Sequence, residues 1–264
     1  MRGARLLGTA LLLVSVEGPA VVSGGVPGTP SPQSREQLNA PYDGLWHFVR
    51  LQYSAGGGSE GFGFGFGRRG GRDATWAHDY PRAELNFMKI IDDATLVPAL
   101  VDGSNVFGLD DPDLFMFPAA YIVEPGFWFP TDEEAHALGE YLAKGGFLVV
   151  DDFRGDSELA NLQAQLERVL PEGQMVLLDE THEIFDAFFR IDPHEVVPPY
   201  GDLPPLWYGI YEGNDPNGRL QVIINYNNDM AEYWEYSDFG FYPIDLSNEA
   251  YKLGVNYVVY GLTH

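Results

Sequence analysis

No cysteine occurs anywhere in the sequence. That absence removes disulfides, thiolate metal ligands and cysteine nucleophiles together. Lysine is almost as scarce, with only Lys89, Lys144 and Lys252 present. With arginine counted, 15 basic residues face 39 acidic ones, a formal charge of −24. A surface this acidic repels phosphate backbones, which argues against nucleic-acid binding. Long apolar runs are missing too. A membrane-spanning helix needs roughly 20 apolar residues, and the run at 6–16 falls short. There is no P-loop, and no dinucleotide fingerprint or Gly-x-Ser-x-Gly elbow in a strand-to-helix setting. The Gly-Phe repeat at 61–67 lacks the lysine and the strand–loop–helix setting of a phosphate cradle.

What is present begins with a leader-like pattern. Arg2 and Arg5 precede the apolar run 6–16, and Gly18-Pro19-Ala20 offers small residues for cleavage. Residues 1–20 therefore read as a secretory signal peptide, and the chain as exported to the periplasm or beyond, with no transmembrane anchor in the mature form. Residues 21–44, rich in Gly, Pro and Ser, read as a flexible linker. Residues 45–264 remain for one domain, large enough to bury about 70–75% of its unfolded surface without disulfides.

The most informative stretch of that domain is Gly145-Gly146-Phe147-Leu148-Val149-Val150-Asp151-Asp152. Four apolar residues bounded by glycine and acid predict a strand buried on both faces, as in parallel sheets. Ligands of open α/β sheets bind beyond the carboxyl ends of such strands. Asp151 and Asp152 stand there, and no serine or cysteine nucleophile does. Around this strand the pattern alternates. Strands are predicted at 46–53, 97–101, 119–124 and 175–178. A helix is predicted from Asp79-Tyr80-Pro81, with Asp79 as its cap and Leu85, Met88 and Ile91 as its buried face. A second helix opens on the capping box of Thr131 and Glu134 and stops at Gly145. A third covers 157–170 through Leu162, Leu166 and Val169. Two further strands, 207–211 and 219–226, flank the turn at 214–218, and a helix over 248–262 closes the chain. This is the order of an α/β three-layer sandwich with a mostly parallel sheet, a C-terminal β-hairpin and a terminal helix.

The ordered motifs resemble the domain-of-unknown-function family DUF4159 of bacteria. They are Phe48-Val49-Arg50-Leu51-Gln52-Tyr53, Trp76 with Asp79-Tyr80-Pro81, Leu109-Asp110-Asp111 and Phe117-Pro118-Ala119-Ala120-Tyr121. Further on stand the glycine–aspartate strand, His182-Glu183-Ile184-Phe185, Arg219-Leu220, Asn228-Asp229, Trp234-Glu235 and Gly254-Val255-Asn256-Tyr257. The resemblance spans 45–264. It implies a class I glutamine-amidotransferase-like, flavodoxin-like fold. It also implies a genomic neighbourhood of MoxR-type ATPases and von Willebrand factor A-type envelope proteins, which are the partners it suggests. It implies no reaction. Active amidotransferases carry a Cys on the turn after a strand, and glutamine amidotransferase chemistry is excluded here because the chain has none.

Three readings of the candidate residues follow. In the leading one the chain is a non-catalytic binding module for a partner protein or small polar ligand at the carboxyl edge of the sheet. Its candidate contacts are Asp110, Asp111, Glu124, Trp128, Asp229, Trp234 and Glu235. In the second, Asp151, Asp152 and His182 converge as metal ligands or acid/base groups of a hydrolase; this requires His182 and an Asp to meet in one pocket. Against it stands the local use of such residues: Asp caps helices and turns, and a His can cap a turn. His47, His78, His136 and His194 show no His-x-His or His-x-x-x-His spacing. In the third, Trp128, Trp207 and Trp234 form a carbohydrate platform among interleaved acids. No organic cofactor is expected, and a divalent cation is the one cofactor the pattern admits.

Overall fold

The computed structural model describes residues 39–55, 74–201 and 203–264. The leader at 1–20, most of the linker and the Gly-Phe repeat lie outside the described residues. Among the described residues seven strands form one sheet: β1 (Val49–Gln52), β2 (Asn105–Gly108), β3 (Ala119–Val123), β4 (Phe147–Asp151), β5 (Val176–Leu177), β6 (Leu206–Tyr211) and β7 (Leu220–Tyr226). Their order is β2-β1-β3-β4-β7-β6-β5. The first five in that order run parallel, and β6 is antiparallel to both its neighbours. Five α-helices among the described residues pack on this sheet: α1 (Arg82–Ala94), α2 (Asp132–Ala143), α3 (Gly155–Val169), α4 (Met230–Tyr236) and α5 (Ile244–Thr263). No helix among the described residues is long and apolar enough to cross a membrane.

The period of two along each strand divides the core. Phe147 and Val149 of β4 join Phe87 and Met88 of α1, Trp234 of α4 and Leu253 of α5 on one face. Leu148 and Val150 join Leu138 and Leu142 of α2 and Leu162 and Leu166 of α3 on the other. A strand buried on both sides must be apolar throughout, which is why β4 reads as an unbroken run. The Thr131–Glu134 capping box forms with both bonds in place, and Gly145 ends the next turn at φ 109°.

Close packing of α2 on α3 depends on Gly139. A Cβ there would lie 2.4 Å from the carbonyl oxygen of Val169. Alanine is the better helix former by about 1 kcal/mol, but overpacking against a fixed backbone costs about 1–3 kcal/mol. Gly139→Ala is therefore expected to lower stability in urea, by up to about 2 kcal/mol; a gain in stability would show that the two helices separate easily.

Several expectations need correction. The second strand lies at Asn105–Gly108, not at 97–101, where Ala99 makes only an isolated bridge to Trp46. Asp79 does not cap α1: its φ is 62° and the cap position falls on Pro81. The segment 230–236, for which no element was predicted, is a helix.

Candidate functional site

Strand β4 delivers its two aspartates to different places. Asp151 continues the strand and turns inward, where its Oδ2 accepts hydrogen bonds from the Tyr121 hydroxyl at 2.5 Å and the Met230 amide at 2.8 Å. It anchors the start of α4. Burial pushes its pKa up to about 6, against the pull of the Tyr121 hydrogen bond. Asp152 leaves the strand with φ 56° and aims its carboxylate at the turn before α1. There the His78 Nδ1–H donates to Asp152 Oδ2 at 2.7 Å.

A buried ion pair holds that turn in place. Arg50 of β1 and Glu84 of α1 are both fully buried and joined through the Arg50 Nε and Glu84 Oε1. The guanidinium also donates to the carbonyls of Trp76 at 3.1 Å and His78 at 2.9 Å. One side chain from the sheet thus fixes the backbone that carries His78 and Asp79 over the strand ends. Asp79 Oδ2 lies 3.5 Å from His78 Nδ1 and has no hydrogen-bond partner. From the end of β7 comes Asp229, whose Oδ1 accepts from the Glu232 amide at 2.9 Å. Its Oδ2 is buried and unpartnered.

Four groups meet as a result. One ligand atom each from His78, Asp79, Asp152 and Asp229 lies within 4.8 Å of the others. Asp79 also falls within that distance of Glu232 and Glu235. Three buried carboxylates in such a space are mutually unfavourable. Burial, and then the charge of Asp152, push Asp79 and Asp229 well above the ordinary carboxylate range. Glu124 rises to about 8 for the same two reasons. Burial alone would lower the His78 pKa, but the hydrogen bond and charge of Asp152, then Asp229 and Glu124, raise it to about 10.

Backbone strain gathers at the same edge. Five non-glycine residues among those described have left-handed φ, and four of them are Asp79, Glu124 (50°), Asp152 and Asn227 (58°). Each such conformation costs on the order of 1–3 kcal/mol and persists only where the surroundings impose it. A cleft of about 280 Å³, bounded by Asp152, Arg154, Tyr200 and Asn228 among others, opens beside the cluster.

The remaining candidates lie elsewhere. His182 does not reach Asp151 or Asp152. Its Nδ1 accepts from the Ile184 amide at 3.1 Å, and its ring packs on Tyr260. The Tyr260 hydroxyl accepts from Leu220, the first residue of β7, and its ring meets Phe147, the first residue of β4. His182 therefore sits at the amino ends of the strands whose carboxyl ends hold the aspartates, and the triad of Asp151, Asp152 and His182 does not form. Asp110 and Asp111 sit on the turn after the edge strand β2, where Asp111 caps the Asp113 amide. Trp128, Trp207 and Trp234 are all buried. Trp234 stacks on Phe87 inside the core at 4.4 Å between centroids, so the carbohydrate platform has no exposed rings. Of the named candidates, Asp152 and Asp229 join the cluster, with Glu124 and Glu235 beside it. His78 and Asp79 were not among them, although the motif Trp76…Asp79-Tyr80-Pro81 marked their segment.

The molecule is thus an α/β protein with a histidine–carboxylate cluster at the carboxyl edge of a mostly parallel sheet. A family model described as a domain of unknown function (DUF4159) matches residues 47–262, and the chain belongs to that family. No curated protein matches it.

Proposed function

We propose that the chain is a cation-dependent capture module, in which His78, Asp79, Asp152 and Asp229 hold a divalent ion at the mouth of a ligand cleft. The observation that carries this reading is the pair of buried, unpartnered carboxylate oxygens, Asp79 Oδ2 and Asp229 Oδ2, in a cluster with two further ligand atoms. Buried acceptors of this kind are rare unless something satisfies them. Ligands facing each other across a hard cation stand about 4–5 Å apart, close to the spread observed here. One imidazole with three carboxylates suits Mn²⁺ better than an all-oxygen ion such as Ca²⁺.

The class I glutamine-amidotransferase-like fold belongs to this reading. It is supported by the order β2-β1-β3-β4, which is that of flavodoxin-like sheets. Asp152 occupies the left-handed position between β4 and α3, the kind of strained strand-to-helix turn that carries nucleophiles in α/β hydrolases. A carboxylate at that position holds ions rather than forming a thioester. Export also belongs to the reading, supported by the leader-like residues 1–20.

Protein stripped with chelator and desalted should bind one Mn²⁺ by calorimetry, more tightly than Mg²⁺ or Ca²⁺. At a hundredfold excess over Kd the ion stabilises by about 2.7 kcal/mol, a rise in melting temperature of roughly 5–10 °C for a domain of this size. Asp152→Ala should abolish both effects. Absence of Mn²⁺ binding by the intact protein sinks the reading. Hydrolysis of an ester or phosphoester by the loaded protein, lost in Asp152→Ala, would replace capture with catalysis.

A further inference from the structure

The cleft beside the cluster carries polar groups that the cation leaves unused. Asp152 forms one wall and would present the ion to it. Asn228 lines the cleft, is 4% exposed, and has an Oδ1 with no hydrogen-bond partner. Its backbone is pinned by an antiparallel bridge to Phe153. An acceptor held so rigidly and left unmatched asks for a donor from a ligand.

Arg154 supplies the opposite charge. Arg50, Arg82, Arg168 and Arg219 each make an ion pair, whereas Arg154 makes none among the described residues. Its guanidinium stands 4.4 Å from the Tyr200 ring, which holds the planar group at the cleft. Glu158 and Glu124 lie near enough to feel its charge, but neither pairs with the guanidinium. In a chain of net charge −24, an arginine without a close ion pair is open to a carboxylate from outside. Guanidinium geometry suits carboxylates in a bidentate pair. The space of about 280 Å³ corresponds to roughly nine waters at about 30 Å³ each, and so to a compact ligand rather than a polymer.

We infer that the cleft takes a small free hydroxydicarboxylate. One carboxylate and the adjacent hydroxyl oxygen coordinate the ion, the hydroxyl donates a hydrogen bond to Asn228 Oδ1, and the second carboxylate pairs with Arg154. The inference rests on the cation reading, and the experiment separates the two. Calorimetry on protein loaded with one equivalent of Mn²⁺ compares racemic malate, succinate and inorganic phosphate, with Mn²⁺ titrated separately into the stripped protein. Malate should bind at least tenfold more tightly than succinate, which lacks the hydroxyl, and than phosphate. Arg154→Met should weaken malate at least tenfold and leave Mn²⁺ affinity within twofold of the parent. Mn²⁺ binding without malate binding, or equal affinity for malate and succinate, overturns the ligand assignment alone. Tighter binding of phosphate assigns the cleft to phosphate and overturns it as well. Failure of the Mn²⁺ titration overturns the cation reading and the ligand with it.

Discussion

Asp229→Asn is expected to make the metal-free protein more stable and to remove its response to Mn²⁺. Two unit charges within 4.8 Å of each other repel by at least about 3 kcal/mol at an effective dielectric constant of 20. Raised pKa values at Asp79 and Asp229 already relieve part of that repulsion by protonation. The remaining gain on neutralising Asp229 is about 1–2 kcal/mol, or roughly 2–8 °C in melting temperature. Asparagine caps helices as well as aspartate does, so the bond from the Glu232 amide survives. The ion, by contrast, loses a charged ligand, and its affinity should fall at least a hundredfold. Thermal melts with and without Mn²⁺ measure both effects. A lower melting temperature with an intact Mn²⁺ shift would reduce Asp229 to a helix cap.

Arg50→Met should have the largest cost to stability. Glu84 would be left buried and without its partner, and breaking such a pair costs about 3–5 kcal/mol. The double variant Arg50→Met/Glu84→Gln removes the stranded charge and should recover most of that loss in urea denaturation. It cannot restore the two bonds from Arg50 to the carbonyls of Trp76 and His78. Mn²⁺ affinity should therefore stay at least tenfold down when stability has returned. Recovery of both together would show that Arg50 supports the fold without positioning the site.

The parts of the molecule that could be read from sequence are those governed by local patterns. An unbroken apolar run marks β4 because both its faces are covered. The capping box marks the start of α2 because both partners lie within one turn. Strand β2 escaped because Asn105 and Gly108 bound an apolar run of only two residues, Val106 and Phe107, and half of it is only partly buried. Helix α4 escaped because Glu232, Tyr233 and Trp234 are all buried, so no polar face gives a 3.6-residue period.

The site divides in the same way. Asp152 follows from the rule that ligands gather at strand ends, and the competing role of a helix anchor fell to Asp151. His182 has the residue type of a catalytic group but the use of a turn cap. His78 reaches Asp152 across 74 positions of sequence, with Asp79 beside it on a turn held by Arg50, and no local spacing encodes that approach. Asp79 looked like a cap because aspartate before proline usually is one; its left-handed backbone turns the carboxylate into the cluster instead. The tryptophans looked like a binding surface because composition does not tell which rings the core takes.

Diffraction from crystals grown with Mn²⁺, recorded at the manganese absorption edge, tests the central claim most directly. The account predicts one strong anomalous peak with a His78 nitrogen and carboxylate oxygens of Asp79, Asp152 and Asp229 each about 2.0–2.6 Å away. A well-ordered site showing no peak there, or a peak held by other residues, would contradict it.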